Sequence, residues 1–186
     1  MFAQALGQIV NFIQRFFLGA KDWQVFPLFV VGILPVLFGN RFWAFALFSE
    51  LFYFSWLWIA GSFLATAIKP TLRPRLRFFR FSIFFLALYF FVAIAILPKY
   101  LGPQVVLTDI TSFFVTLFIP LLFVAIVCTL YVFYFVSKSL SLAEASEPVS
   151  IYDYAGAFFL IWFFLVGVWI IQPRINRLFA ANRETA

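Results

Sequence analysis

Long apolar runs, separated by short polar stretches, are the feature that most restricts how this chain can fold. Residues 42–68 carry one charged side chain, Glu50, and residues 110–136 carry none. Hydrophobic residues make up 66% of the chain and charged residues 11%, whereas soluble domains are roughly half apolar and about a quarter charged. A soluble fold of this length has too little interior to bury so much apolar surface. The sequence therefore predicts an all-α fold, a polytopic bundle of transmembrane helices.

The spacing of the apolar runs predicts four or five spans after an N-terminal interfacial helix. Polar side chains from Gln4 to Arg15 recur along one helical stripe, so residues 1–18 are expected to lie in the membrane interface or to pack on the bundle. Residues 23–38 contain two prolines and are short for a bilayer, which leaves a kinked span or a re-entrant segment. Transmembrane helices are predicted over residues 42–68, 81–97, 110–136 and 154–171, with a polar tail over residues 172–186.

Basic residues cluster between the predicted spans at residues 42–68 and 81–97. The chain has a net charge of +6, and short cytoplasmic loops of membrane proteins are enriched in Lys and Arg. The loop over residues 69–80 is therefore expected in the cytoplasm, where its side chains are candidate contacts for anionic lipid or a partner. They are Lys69, Arg73, Arg75, Arg77 and Arg80.

This orientation leaves the C-terminal tail on the outer side, because residues 154–171 are predicted to cross the membrane once more. Arg174, Arg177 and Arg183 then lie outside, against the usual charge bias. We expect no nucleic-acid partner, since the sequence contains no recognition helix or zinc module.

Glu50 is the acidic residue placed well inside a predicted span. A charged side chain at a helix centre costs about 2.5–3.5 kcal/mol on insertion scales, so it needs a partner or water. One interpretation is a proton or cation site. The other is a structural glutamate that is hydrogen-bonded by Ser49, Tyr53 or a neighbouring helix.

Small residues on the same span have the spacing of helix contacts. Gly61 and Ala65, like Ser62 and Thr66, are four positions apart, which allows another helix backbone to approach closely. We expect these contacts within the chain, with self-association as the alternative.

The inventory of reactive side chains argues against catalysis. The chain contains no His and one Cys, and its loop acids are scattered without the spacing of an acid–base pair or a metal site. The sequence predicts a non-catalytic protein without a cofactor or metal.

The C-terminal third carries a sequence resemblance. Residues 134–140 and 158–164, followed by residues 168–176 with the element Gln172-Pro173-Arg174-Ile175-Asn176, resemble an uncharacterised group of small membrane proteins from Bacteroidota. The resemblance implies a bacterial inner membrane and no catalytic activity.

Two functions remain open from the sequence. By elimination we expect a structural, assembly or accessory subunit that packs with membrane lipids or other membrane proteins. The alternative is a small oligomeric channel or transporter, coupled to ions or protons, that uses Glu50.

Overall fold

Every regular element in the described part of the chain is a helix. The computed structural model describes residues 12, 15–21, 23–27, 43–95 and 109–184. Residues 15–19 and 23–27 are helical. The remaining elements are α1 (Trp43–Ala67), a 3₁₀ turn (Pro70–Leu72), α2 (Leu76–Ala95), α3 (Asp109–Ala145), α4 (Ile151–Trp162) and α5 (Phe164–Glu184). The predicted all-α class is confirmed for these residues, whereas most of the predicted segments 1–18 and 23–38 lie outside them.

Three of the described helices are long and apolar enough to cross a membrane. The stretches that meet this criterion are Ala44–Ala67, Leu76–Ile94 and Thr116–Ala145, since a hydrocarbon core of about 30 Å requires roughly 20 apolar residues. Only 33%, 28% and 22% of their apolar windows are buried inside the chain. The outward faces carry exposed large apolar side chains, among them Phe78, Phe81, Phe84, Leu88, Phe123 and Val127. This surface fits association with a membrane.

The three long helices meet around one aromatic stack. Phe79 of α2 is fully buried and stacks on Phe135 of α3, with ring centroids 4.2 Å apart. On its other side the ring lies against Gly61 of α1, where an added Cβ would overlap it. The missing side chain at Gly61 is therefore what lets α2 and α3 pack closely on α1.

The last predicted span is broken in the middle. We expected one helix over residues 154–171, ended by the element at residues 172–174, but the backbone leaves helical geometry at Phe163 and α5 then continues to Glu184. A Cβ on Gly167 would overlap the backbone carbonyl of Leu160. The chain can double back here because Gly167 lets the first turn of α5 approach the last turn of α4.

The pair α4–α5 enters the bundle along α3 and returns along α1. At the start of α4, the Ser141 hydroxyl donates to the Asp153 carbonyl over 3.1 Å. At its end, the rings of Trp162 and Phe133 lie 6.1 Å apart. Since Phe133 precedes Ser141 in α3, α4 runs antiparallel to α3.

Ring contacts give the direction of α5. Phe164 lies 4.8 Å from Tyr53, and further along α5 the ring of Phe179 lies 5.4 Å from Phe63. The helix therefore runs parallel to α1, toward Ala67. We call the end of the bundle where α1 and α3 finish and α2 begins the basic end, because it carries residues 69–75. Both termini of the α4–α5 pair point to it.

Two polar contacts join the chain at the basic end. The Lys69 ammonium donates to the Ser146 carbonyl over 2.9 Å, at the end of α3. Arg174 of α5 forms an ion pair with Glu144, in which its Nε donates to Oε1 over 2.8 Å. The expectation that residues after 171 leave on the side opposite the basic loop thus does not match the fold, because α5 returns to that loop.

Replacing Gly61 with Ala tests the aromatic stack. The new Cβ would push Phe79 away from Phe135, and overpacking of this kind costs about 1–3 kcal/mol. We expect a matching loss in the free energy of unfolding, measured by titrating the purified protein in mild detergent with dodecyl sulfate.

Gly156→Ala is the matched control, because a Cβ there meets nothing within 4 Å. It should be neutral or gain about 0.5–1 kcal/mol, since alanine favours helix over glycine. Equal effects of the two substitutions would contradict the packing role of Gly61.

Candidate functional site

Glu50 lines a half-open cavity between α1, α2 and α3. The cavity has a volume of about 220 Å³. Its other lining residues are mostly aromatic or aliphatic: Tyr53, Phe54, Leu57, Leu86, Phe90, Thr129, Val132 and Phe133. The site is therefore a single carboxyl group in an almost wholly hydrocarbon environment.

The carboxyl group of Glu50 has no hydrogen-bond partner among the described residues, although both of its oxygens are buried. Ser49 does not supply one, since its hydroxyl donates to the Ala46 carbonyl over 3.0 Å. Tyr53 lines the same cavity, and its ring packs against Phe164. The hydrogen bonds that we expected for a structural glutamate are thus missing from the described part of the chain. The carboxyl group needs a proton or a cationic partner.

A second cavity adjoins the first. It has a volume of about 180 Å³ and shares Phe90 and Thr129 with the Glu50 cavity. Leu122, Ile126 and Trp162, which line its outer part, are exposed on the apolar surface. The hydroxyl of Thr129 donates to the Ala125 carbonyl over 2.8 Å. These two side chains therefore line both the Glu50 cavity and a cavity that reaches the outer apolar surface.

A buried amide network lies deeper in the bundle. Gln172 of α5 is fully buried, and its Oε1 accepts a hydrogen bond from the Trp56 indole over 2.8 Å. Its Nε2 donates to the backbone carbonyls of Phe17 over 2.8 Å and Ala20 over 3.2 Å, and to Asn176 over 3.0 Å. Three distant parts of the chain are joined at this one side chain.

The network gives the C-terminal polar element a role that the sequence did not suggest. We expected residues 172–186 to form a polar tail after the last span, whereas Gln172 is fully buried and Asn176 donates to the Ala20 carbonyl over 3.0 Å inside the fold. Pro173 lies within α5. A signal was present: Gln172 and Asn176 are four residues apart and share a helix face.

Two of the predicted lipid-contacting cations are used at helix ends. Lys69 binds the Ser146 carbonyl after α3, and the Arg73 guanidinium donates to the Thr66 carbonyl of α1 over 3.3 Å. Cations are favourable at helix C-termini, where carbonyl groups lack partners. These contacts stabilise the basic end.

The other three predicted cations face outward near the start of α2. Arg75 and Arg77 are exposed, and the Arg80 guanidinium lies 5.7 Å from the centre of the Trp58 ring. Trp58 in turn lines an apolar groove of about 550 Å³ between α1, α2 and Phe17. A cation therefore lies beside one lining residue of a hydrocarbon groove.

The predicted packing residues divide between the two sides of α1. Gly61 and Ala65 are buried in the core, whereas Ser62 is half-buried and lines the groove. Thr66 is exposed and donates its hydroxyl to the Phe63 carbonyl over 2.7 Å. Contacts within the chain thus use the Gly61 side of the helix.

Groups of acidic residues or cysteines that could hold a metal ion are absent from the described residues. The Arg174 guanidinium is committed to Glu144, and this hydrogen bond raises the pKa of Arg174 above its ordinary value. Among the described acids, Glu50 is thus the unpartnered carboxyl group in a cavity, and Glu144 forms the ion pair at the basic end.

Comparisons with protein-family models, with curated proteins and with solved structures give no match to this chain. Its function is therefore argued from the geometry above.

The Gln172 network predicts a large effect for Gln172→Leu. The change removes the partner of the Trp56 indole and of the Phe17 carbonyl, whereas the Ala20 carbonyl keeps Asn176, and each buried unpaired group costs about 1–3 kcal/mol. We expect a marked loss in the free energy of unfolding in detergent. Adding Trp56→Phe should recover part of it, because the unpaired indole is then removed.

Gln24→Leu serves as the control for this change. Gln24 is exposed and accepts one hydrogen bond, from the Lys21 backbone over 3.0 Å, so its loss should stay within about 0.5 kcal/mol. Strict additivity of the Trp56 and Gln172 substitutions would contradict the network.

Proposed function

We propose that this chain is a non-catalytic integral protein of a bacterial inner membrane that acts as an accessory or assembly subunit. The observation that carries the proposal is the broad apolar surface of α1, α2 and α3, most of which faces away from the chain's own core. Such a surface packs against lipid or against other membrane proteins.

The groove beside Trp58 supports packing with lipid. Its lining is apolar along α1 and α2, and the Arg80 guanidinium lies over Trp58. A hydrocarbon chain in the groove would bring an anionic headgroup near Arg80, and a cation close to the membrane surface contributes about 1 kcal/mol to such binding.

We further propose four spans and a re-entrant pair. The spans are residues 23–38 with α1, α2 and α3, and α4–α5 enters and leaves at the basic end. Phe17, which precedes the first of these spans, packs on α1 and α5. The Ala20 carbonyl is held by Asn176 of α5, whereas α1 begins at the opposite end of the bundle. These positions favour a crossing between the two.

Charge favours this arrangement. With the basic end in the cytoplasm, Arg41 and Lys99 alone of the chain's 13 basic residues lie outside. The conflict between the C-terminal arginines and the positive-inside bias then disappears. The apolar tip of the α4–α5 pair, with exposed Trp162, Phe163 and Val166, lies in hydrocarbon.

Single cysteines in a Cys128→Ala background test this topology. Arg75→Cys and Ala180→Cys should both react with a membrane-impermeant maleimide applied from the cytoplasmic side of oriented vesicles, whereas Lys99→Cys should react only from the other side. Labelling of Arg75→Cys and Ala180→Cys from opposite sides would instead support a full crossing by the last segment.

A second function is favoured by one observation, the unpartnered Glu50 in its cavity. We propose as the alternative that Glu50 binds a proton or cation in a small oligomeric channel or transporter. Buried ionisable groups of membrane helices mark ion and proton pathways in many proteins.

One purification separates the two functions. For a subunit, extraction in mild detergent should recover the chain with a membrane partner in fixed stoichiometry, and Glu50→Gln should leave that complex intact. The association should survive high salt, because the surface that makes it is apolar.

A homo-oligomer alone, with an ion or proton flux in liposomes that Glu50→Gln abolishes, would favour the channel or transporter instead. Glu147→Gln is the matched control, because Glu147 is an exposed acid outside the cavity. It should leave flux unchanged.

A further inference from the structure

We infer that the Glu50 cavity binds a small organic cation with apolar substituents, which reaches it from the lipid. The inference rests on the second proposed function, in which Glu50 is a binding group, and it names the chemical class of the ligand. Its basis is the combination of one unpartnered carboxyl group, an aromatic lining and an adjoining lipid-facing cavity.

The donor set of the cavity does not suit a metal ion. Calcium and magnesium take at least six oxygen ligands, with waters or carbonyl groups completing the shell. Among the described lining residues, Glu50, Tyr53 and Thr129 are the ones with side-chain oxygen atoms. A metal ion there would lack most of its coordination shell, whereas an ammonium group needs no such shell.

The aromatic lining suits an alkylated ammonium group. Four rings, those of Tyr53, Phe54, Phe90 and Phe133, line the cavity together with Glu50. A cation within about 6 Å of a ring centre is attracted by the ring's negative face, and the attraction grows when water is excluded. The apolar substituents of such a ligand would replace water against the aliphatic wall.

The volume restricts the ligand to a small molecule. At about 220 Å³, the cavity is smaller than the 300 Å³ or so at which drug-sized ligand pockets begin. A benzyl or short alkyl ammonium compound is of this size class, whereas large dye-like cations are too bulky.

The second cavity provides a path from lipid. Phe90 and Thr129 line both this cavity and the Glu50 cavity, and Leu122 and Ile126, which also line it, are exposed on the apolar surface. The inferred route of a cation that partitions into the membrane passes the Phe90 ring, which lines both cavities and is itself partly exposed. A strongly hydrated ion has no comparable path through this hydrocarbon lining.

Benzyltrimethylammonium is a probe of the expected class. We expect the full chain in nanodiscs to bind the radiolabelled compound saturably above the background of empty nanodiscs. Neopentylbenzene, which has the same shape without the charge, should fail to compete. Competition by neopentylbenzene equal to that of the unlabelled cation would overturn the inference, because an apolar cavity alone would then explain the binding.

Two variants test the groups that face the ligand. Glu50→Gln keeps the side-chain size and should weaken binding by about tenfold or more, since a desolvated charge pair is lost. Phe90→Leu should weaken it by several-fold, since one ring is lost. Binding unchanged in both variants would overturn the inference.

Controls carry the same chemical changes away from the cavity. Glu147→Gln and Phe123→Leu alter exposed residues outside the lining, and both should bind the probe like the unaltered chain. Each variant is judged folded if it elutes in gel filtration as the same species as the unaltered chain. If Glu50→Gln does not assemble, probe binding by Phe90→Leu still tests the inference.

Failure of this inference is distinguishable from failure of the proposed function. Absence of probe binding together with a Glu50-dependent proton or sodium flux in liposomes would overturn the organic ligand and leave the ion site. Absence of both probe binding and Glu50-dependent flux would overturn the organic-cation inference together with the proposed channel or transporter function.

Discussion

The hydrogen bonds of Gln172 are the interaction on which the rest of the fold depends. In a hydrocarbon environment a polar group must find its partners inside the protein. Gln172 does so by accepting from Trp56 of α1 and donating to the carbonyls of Phe17 and Ala20. Trp56 lies in α1, whereas Phe17 and Ala20 both belong to the N-terminal segment. The amide therefore fixes α5 against α1 and holds the N-terminal segment beside them, which apolar packing alone would not do with a defined register.

The position of α5 in turn fixes the course of the C-terminal third. Once α5 lies parallel to α1, its later residues reach the end of α3, where Arg174 pairs with Glu144. The chain must then reverse direction between α4 and α5, and Gly167 permits that reversal by leaving room for the Leu160 carbonyl. A buried amide, a missing side chain and an ion pair thus define a helical hairpin where composition alone suggests one continuous helix.

Sequence patterns predicted the features that depend on composition. The apolar run at residues 42–68 corresponds to α1, and the absence of strands among the described residues follows from the same runs. The break at Phe163 was not predictable in this way, because both sides of it are apolar and only a tertiary contact distinguishes a hairpin from a crossing. Helix ends were also misjudged: α2 begins at Leu76, since Arg77 and Arg80 extend their charged groups outward from its first turns. The cavity around Glu50 depends on three helices that no local pattern relates, although the residue itself stood out as an isolated charge.

The contrast between Gln172 and Glu50 bears on function. Along α1, Glu50 lies about 9 Å from Trp56, the partner of Gln172, at the 1.5 Å rise per residue of a helix. The side chains of Glu50 and Gln172 therefore meet the same apolar interior. The fold surrounds Gln172 with four partners, yet among the described residues it gives Glu50 none, although both carboxyl oxygens are buried and the residue lines a cavity. A glutamine or leucine at this position would avoid the cost of burying a carboxyl group. Retaining the acid beside an open volume is reasonable if something outside the chain's own side chains, a proton or a cation, completes its interactions.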